Sequence, residues 1–167
     1  MTAKKRKKNT IMAIEKVREY LKQYNREEDI LEFDTSSATV ELAAIAVGVE
    51  PARIAKTLSF YEKSGEHAFL VVTAGDMKID NKKFRHTFGL KAKMLSYEDA
   101  ERLTGHAVGG VCPFANPEGT KTYLDLSIKR FDTVFPAAGS SNSAIELTCD
   151  DLEQLSHAVE WVDVCKE

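Results

Sequence analysis

One lysine set in an apolar run, Ile54-Ala55-Lys56-Thr57-Leu58, is the side chain here with the clearest capacity for chemistry. Its neighbours force the amine either out to solvent or into a pocket, and on an ordinary strand a lone lysine faces solvent. A second element with chemical meaning is the loop Gly109-Gly110-Val111-Cys112-Pro113-Phe114. Two adjacent glycines let the main chain approach a ligand closely, while Pro113 stiffens the exit. Backbone N–H groups aimed at one point can stabilise an oxyanion, which is worth roughly 3–4 kcal/mol for one donor in a well-studied hydrolase. A Gly-Gly pair by itself is equally the mark of an ordinary turn.

Cys112 offers a thiol and His106, six residues earlier, a base, the pairing that a cysteine nucleophile needs. A lone cysteine beside proline is more commonly a small apolar packing residue, and Cys112 is read here as shaping a pocket. Asp125, in Tyr-Leu-Asp-Leu, has the charge to fix Lys56 or a loop amide, as an ordinary strand-end aspartate also would. Gly139-Ser140-Ser141-Asn142 is a flexible turn whose hydroxyls and amide suit sugar or phosphate contacts. Residues 76–93 hold Lys78, Lys82, Lys83, Arg85, Lys91 and Lys93 against Asp76 and Asp80. Such runs are commonly solvated helix faces; as an interface they would meet nucleic-acid phosphate without reading sequence.

The elements that must position these groups follow from periodicity and capping residues. Ile14, Val17, Leu21 and Tyr24 recur at helical spacing over Met12 to Tyr24. Ile30 to Phe33 reads as a strand, and Ser36 or Ser37 as the cap of a helix over Val40 to Val47 that stops at Gly48. Ile54 to Tyr61 and Ala68 to Thr73 form a hairpin around Lys63-Ser64-Gly65-Glu66, which places Lys56 on a strand. Asp80 or Asn81 caps a helix closed by Gly89, Ala92 to Leu95 is a short strand, and Ser96 caps a helix ending near Gly105. Beyond the glycine loop come strands at Thr122 to Leu126, Thr133 to Phe135 and Ser143 to Leu147. A helix opened by Asp150-Asp151 and an edge strand at Glu160 to Val164 complete the order. The expected fold is α/β: a single mixed domain with a central, mostly antiparallel sheet surrounded by helices.

A chain of 167 residues with 43% hydrophobic content suits one such domain, covering residues 12–167. Residues 1–11 are expected to form a basic, disordered tail, with Met12 an alternative start. Removing the five charges of residues 4–8 from the net charge of −3 leaves −8 for the remainder, too acidic for a typical nucleic-acid reader. Three widely spaced cysteines without a Cys-x-x-Cys pair suit a reducing cytoplasm, and no metal site is indicated. No apolar run has membrane-spanning length, so a membrane is not an expected partner; DNA is not an expected partner either.

The Lys-Thr-Leu run, the glycine loop and Pro136-Ala137-Ala138-Gly139-Ser140-Ser141 together resemble the YbaK/EbsC aminoacyl-tRNA deacylases, relatives of the editing domain of bacterial prolyl-tRNA synthetases. The resemblance covers roughly Asp34 to Leu155. It implies that Lys56 is the residue on which activity depends, orienting the aminoacyl ester or a nearby phosphate. By the same resemblance Gly109, Gly110, Val111, Cys112 and Pro113 line the aminoacyl pocket, while Asp125, Gly139, Ser140 and Ser141 contact substrate. Lys78, Lys82, Lys83 and Arg85 would meet the tRNA. Many relatives have tyrosine at the position of His106 and serine at that of Cys112, and their basic residues near the Gly139 turn are absent here.

The implied function is trans-editing: hydrolysis of a wrongly attached small amino acid, alanine, cysteine or serine, from tRNA-Pro, with a prolyl-tRNA synthetase as a further partner. No metal or other cofactor is implied, and the ribose 2′-hydroxyl would assist in place of a protein base. Such proofreading answers the weak discrimination that a synthetase pocket achieves between near-isosteric amino acids. The alternatives are a non-catalytic tRNA- or synthetase-binding module of the same fold, and a cysteine-dependent hydrolase of a small ester or thioester acting through Cys112.

Overall fold

The computed structural model describes the backbone of residues 3–167 and the side chains from Ala13 onward. The expected basic tail falls on residues whose side chains lie outside that description; the backbone of the first helix, α1 (Ala3–Lys22), begins upstream of Met12. Within α1, Ile14, Val17 and Leu21 form the buried stripe that their spacing predicts. Strand β1 (Ile30–Glu32) and helix α2 (Val40–Val47) follow. The α2 cap is Thr39, whose Oγ1 accepts from Leu42 N–H at 3.2 Å, and not Ser36 or Ser37, which are engaged elsewhere.

Strands β2 (Ile54–Tyr61) and β3 (Ala68–Ala74) form the expected hairpin, paired antiparallel from Ala55↔Ala74 to Tyr61↔Ala68. All seven residues of β3 are buried, as befits a central strand covered on both faces. Then come β4 (Lys78–Ile79), α3 (Asn81–Phe88) capped by Asp80, and α4 (Tyr97–Thr104) capped by Ser96. The strand expected at Ala92 to Leu95 is reduced to a single bridge, Met94 with Phe60.

After the glycine loop lie β5 (Lys121–Asp125) and β6 (Thr133–Pro136). Where one strand was expected from Ser143 to Leu147, the chain breaks at Glu146 into β7 (Ser143–Ile145) and β8 (Leu147–Thr148). The break sends β7 to pair with β1 and β8 to pair with β6. Helix α5 (Cys149–Ser156) is capped by Thr148, with Asp150 and Asp151 in its first turn. The chain closes with β9 (Glu160–Val162) and β10 (Cys165–Lys166).

The main sheet runs β8-β6-β2-β3-β5-β9, with two small pairs, β1-β7 and β10-β4, beside it. It is more mixed than the mostly antiparallel sheet expected. β2–β3 and β6–β8 are antiparallel, but β2–β6, β3–β5 and β5–β9 are parallel. The long crossover from β3 to β5, containing α3, α4 and the glycine loop, returns the chain in its original direction, which a hairpin cannot do. One core packs α1 and α5 against the sheet through Val17, Leu21, Leu124, Leu152 and Leu155. A second, aromatic core gathers Phe60, Phe69 and Phe84 under α3, with Phe60 and Phe84 rings 4.8 Å apart.

Candidate functional site

The site begins with an edge. β6 accompanies β2 only at Ile54 and Ala55, ending at Pro136, which brings no N–H to a ladder. At the other end, Leu95 N–H donates to Ser59 carbonyl at 3.1 Å and Tyr61 N–H donates to Lys93 carbonyl at 3.0 Å, both on the edge away from β3. Backbone groups alternate along a strand, so Thr57 turns its N–H and C=O toward that same edge, in the gap between β6 and the 93–95 segment. A cleft of about 280 Å³ occupies this gap. Its walls are β2, the Ser37–Val40 entry to α2 with Ala43, the α4 residues Tyr97 and Ala100, Val108, Gly109 and Val111, and Ala137 with Ala144.

Lys56 lines the cleft, half-buried, with Nζ donating to the Met77 carbonyl. Burial is the largest influence on its amine and lowers its pKa, opposed by Cys165, Asp76 and Glu41. Thr57 beside it has a hydroxyl oxygen closed to solvent and without a partner. Tyr97, Met94 and Val108 stand at the mouth as exposed apolar side chains, Tyr97 at 78%.

Of the glycine loop, Gly109 and Val111 line the cleft. Gly109 has φ +96°, a conformation that L side chains rarely adopt. Gly110 faces the other way: a Cβ there would lie 2.9 Å from both Cα and C of Ser140, so its lack of a side chain permits two loops to touch. Gly110, Gly139, Ser140 and Ser141 line a neighbouring hollow of about 120 Å³ behind Val108. The polar groups of the 139–142 turn are largely spent within the protein. Ser140 Oγ lies 2.8 Å from both Asn142 Oδ1 and Ser143 Oγ, and Asn142 Nδ2 donates to Phe33 carbonyl at 3.0 Å. Ser141 carbonyl accepts from Ser37 N–H at 2.7 Å, which pins the loop entering α2 against the cleft.

Cys112 and Pro113 are buried and do not line the cleft. The Cys112 thiol is wholly buried, pushed up by that burial to about 12, and lies 3.4 Å from His106 Nε2. The imidazole, also buried, has its pKa lowered by desolvation, and Nε2 donates to Phe114 carbonyl at 2.8 Å while Nδ1 has no partner. Thiol and imidazole are thus both neutral and both shut away, the opposite of an activated thiolate. Asp125 is likewise interior: its carboxylate accepts Ser127 N–H and Val164 N–H, each at 2.9 Å, and touches neither Lys56 nor the cleft.

Lys78, Lys82, Lys83 and Arg85 are exposed on β4 and α3 and do not line the cleft. Lys83 is engaged with Asp163 at 3.0 Å and with Cys165 carbonyl at 2.9 Å. Among the described residues, no three His, Cys, Asp or Glu side chains gather as metal ligands. No described helix is long and apolar enough to cross a membrane.

Sequence reasoning missed Thr57, the Ser37–Thr39 loop, Ala137 and Tyr97 as cleft residues. It also missed Gly75, where a Cβ would fall 2.2 Å from Pro51 carbonyl oxygen. The Gly75-Asp76 pair was the available signal for that tight turn.

Comparison with known proteins meets this geometry. A model of the aminoacyl-tRNA editing domain matches residues 34–155. An uncharacterised protein of Bacillus subtilis, YwhH, is 55% identical over 156 residues, which cover 93% of this chain and 99% of that one. A crystal structure described as a candidate trans-editing enzyme for prolyl tRNA synthetase superposes with a TM-score of 0.83 at 27% identity, over 93% of this chain and 98% of the other. The hypothetical protein APE2540 superposes at 0.79, also at 27% identity, over 90% and 99%. The chain belongs to the aminoacyl-tRNA editing domain family.

Proposed function

We propose that this protein is a trans-editing deacylase that hydrolyses the ester between a small, wrongly attached amino acid and the 3′-terminal adenosine of tRNA, with tRNA-Pro the favoured carrier. The observation that carries this is the open edge of β2, where the Thr57 backbone donor and acceptor face a cleft that Lys56 also lines. An aminoacyl group presents a complementary amine and carbonyl, and an exposed strand edge can bind such groups as it would another strand. The inner wall is built of Ala43, Ala55, Ala100, Ala137 and Ala144, and the cleft, at about 280 Å³, lies at the lower edge of the roughly 300–1,000 Å³ of ligand pockets. Alanine, serine or cysteine esters suit that size.

Lys56 orients the ester or the adjacent phosphate, and the ribose 2′-hydroxyl assists the attack of water. The N–H of Thr57 and the backbone at Gly109 are the donors best placed for the developing oxyanion. Exposed Tyr97 at the mouth suits stacking of the terminal adenine, and Lys78, Lys82 and Arg85 suit salt-sensitive contacts to the acceptor stem, with Lys83 already committed to Asp163. Because Cys112 is sealed in the core, a thiol nucleophile has no support.

The test is a panel of tRNA-Pro charged with alanine, serine, cysteine or proline. Rapid loss of one or more of the small mischarged esters with the prolyl ester spared is the expected result. No loss from any ester by folded protein would favour a non-catalytic tRNA- or synthetase-binding module.

A further inference from the structure

The turn that holds Lys56 is itself held from outside the cleft. Met77 carbonyl accepts the lysine ammonium, and the preceding residue, Asp76, receives both terminal nitrogens of Arg130, at 3.1 and 2.6 Å. The same guanidinium donates through Nε to Ser127 carbonyl at 2.8 Å. Ser127 in turn accepts Ala74 N–H on its hydroxyl at 3.2 Å and is anchored by Asp125 at 2.9 Å. A planar guanidinium in a bidentate pair fixes direction as well as distance, which a lysine in its place would not.

We propose that Arg130 is a positioning residue for Lys56: by pairing with both oxygens of Asp76, next to Met77, it keeps that carboxylate from drawing the lysine ammonium off the Met77 carbonyl. The proposal rests on Lys56 being the working side chain of the cleft. The titratable and charged groups that act on Lys56 are Cys165 of β10, Asp76, Glu41 of α2 and Lys78 of β4. The Cys165 thiol, pushed up to about 12 chiefly by burial and then by Asp125, is uncharged at neutral pH and does not compete. Asp76 has the larger pull of the two carboxylates, and Arg130 is the largest influence keeping its pKa low. Asp76 and Arg130 are both exposed, with side chains 38% and 43% accessible, so losing the pair costs the fold little.

The test compares Arg130→Met, Asp76→Asn and the double variant, each checked for folding by circular dichroism. Lys56 is titrated by NMR on ¹³C-dimethylated protein, its signal assigned by loss in Lys56→Arg. In Arg130→Met, Asp76 is released to pair with Lys56, so the lysine titrates about one pH unit higher, the shift expected of a new opposite charge at close range. Asp76→Asn moves the titration the opposite way, and the double variant follows Asp76→Asn. Deacylation kcat falls at least tenfold in Arg130→Met with little change in KM, and adding Asp76→Asn restores most of it. An unchanged Lys56 titration in folded Arg130→Met, or a double variant as slow as the single, overturns the proposal. The titration needs no turnover, so a protein that cleaves no ester would sink the deacylase reading while the NMR result still decides the role of Arg130.

Discussion

Replacing Thr57 with valine exchanges one hydroxyl for a methyl of similar volume at the wall of the cleft. The hydroxyl oxygen is closed to solvent and has no partner, so the folded protein carries its desolvation without return. An unpaired buried polar group of this kind costs about 1–3 kcal/mol. The residue is only partly buried, which places the recoverable share near the lower end, about 1–2 kcal/mol. Chains of this length move by roughly 2–4 °C per kcal/mol, so Thr57→Val should melt about 2–8 °C higher. Urea unfolding should show a higher midpoint with an unchanged slope, since the surface exposed on unfolding is the same. The hydroxyl is closed to solvent and so to substrate as well, and deacylation should be retained in the more stable protein. A variant of equal or lower stability would refute the assignment of Thr57 as an unsatisfied group; greater stability with a tenfold loss of activity would show that the hydroxyl reaches substrate after all.

Gly75→Ala should destabilise the fold by about 1–3 kcal/mol, read from the urea midpoint, because its Cβ meets backbone oxygen of Pro51 at 2.2 Å, not a side chain free to turn aside. Cys112 should resist iodoacetamide at pH 8 in the native state, its buried thiol lying near 12, and mass spectrometry should find half-buried Cys149 alkylated first. Cys112→Ala should cost about 1 kcal/mol and retain deacylation. The folded pKa of His106 lies below its ordinary value of 6.5, so the unfolded chain binds the extra proton first as pH falls. Stability is therefore full above about 6.5 and declines as pH falls toward the folded pKa, a slope that urea titrations between pH 5 and 7 should find flattened in His106→Gln.

Helices were legible where a cap and a stop lie in the sequence itself, as with Asp80 and Gly89 or Ser96 and Gly105. The α2 cap was misplaced because Ser36, Ser37 and Thr39 are chemically alike, and only the loop's attachment to Ser141 decides which is free to cap. Strand directions were not legible, since the parallel pairing of β3 with β5 depends on where a long crossover lands. Lys56 and Gly109 could be picked out as residues, whereas the gap that makes Thr57 matter is a property of three segments meeting. Asp125 looked like a site residue because a buried carboxylate that accepts two backbone N–H groups is written in sequence just as a ligand-facing one is.

The most direct measurement is the ¹H–¹⁵N NMR response to a hydrolysis-resistant, amide-linked alanyl-adenosine. Shifts gathered at Lys56 to Ser59, Ala38, Gly109, Val111 and Ala137, and weakened in Lys56→Ala, would place the ester in the cleft at the open edge of β2. Saturable binding whose shifts fall on α3 or around Cys112 instead, with those cleft residues unmoved, would contradict it.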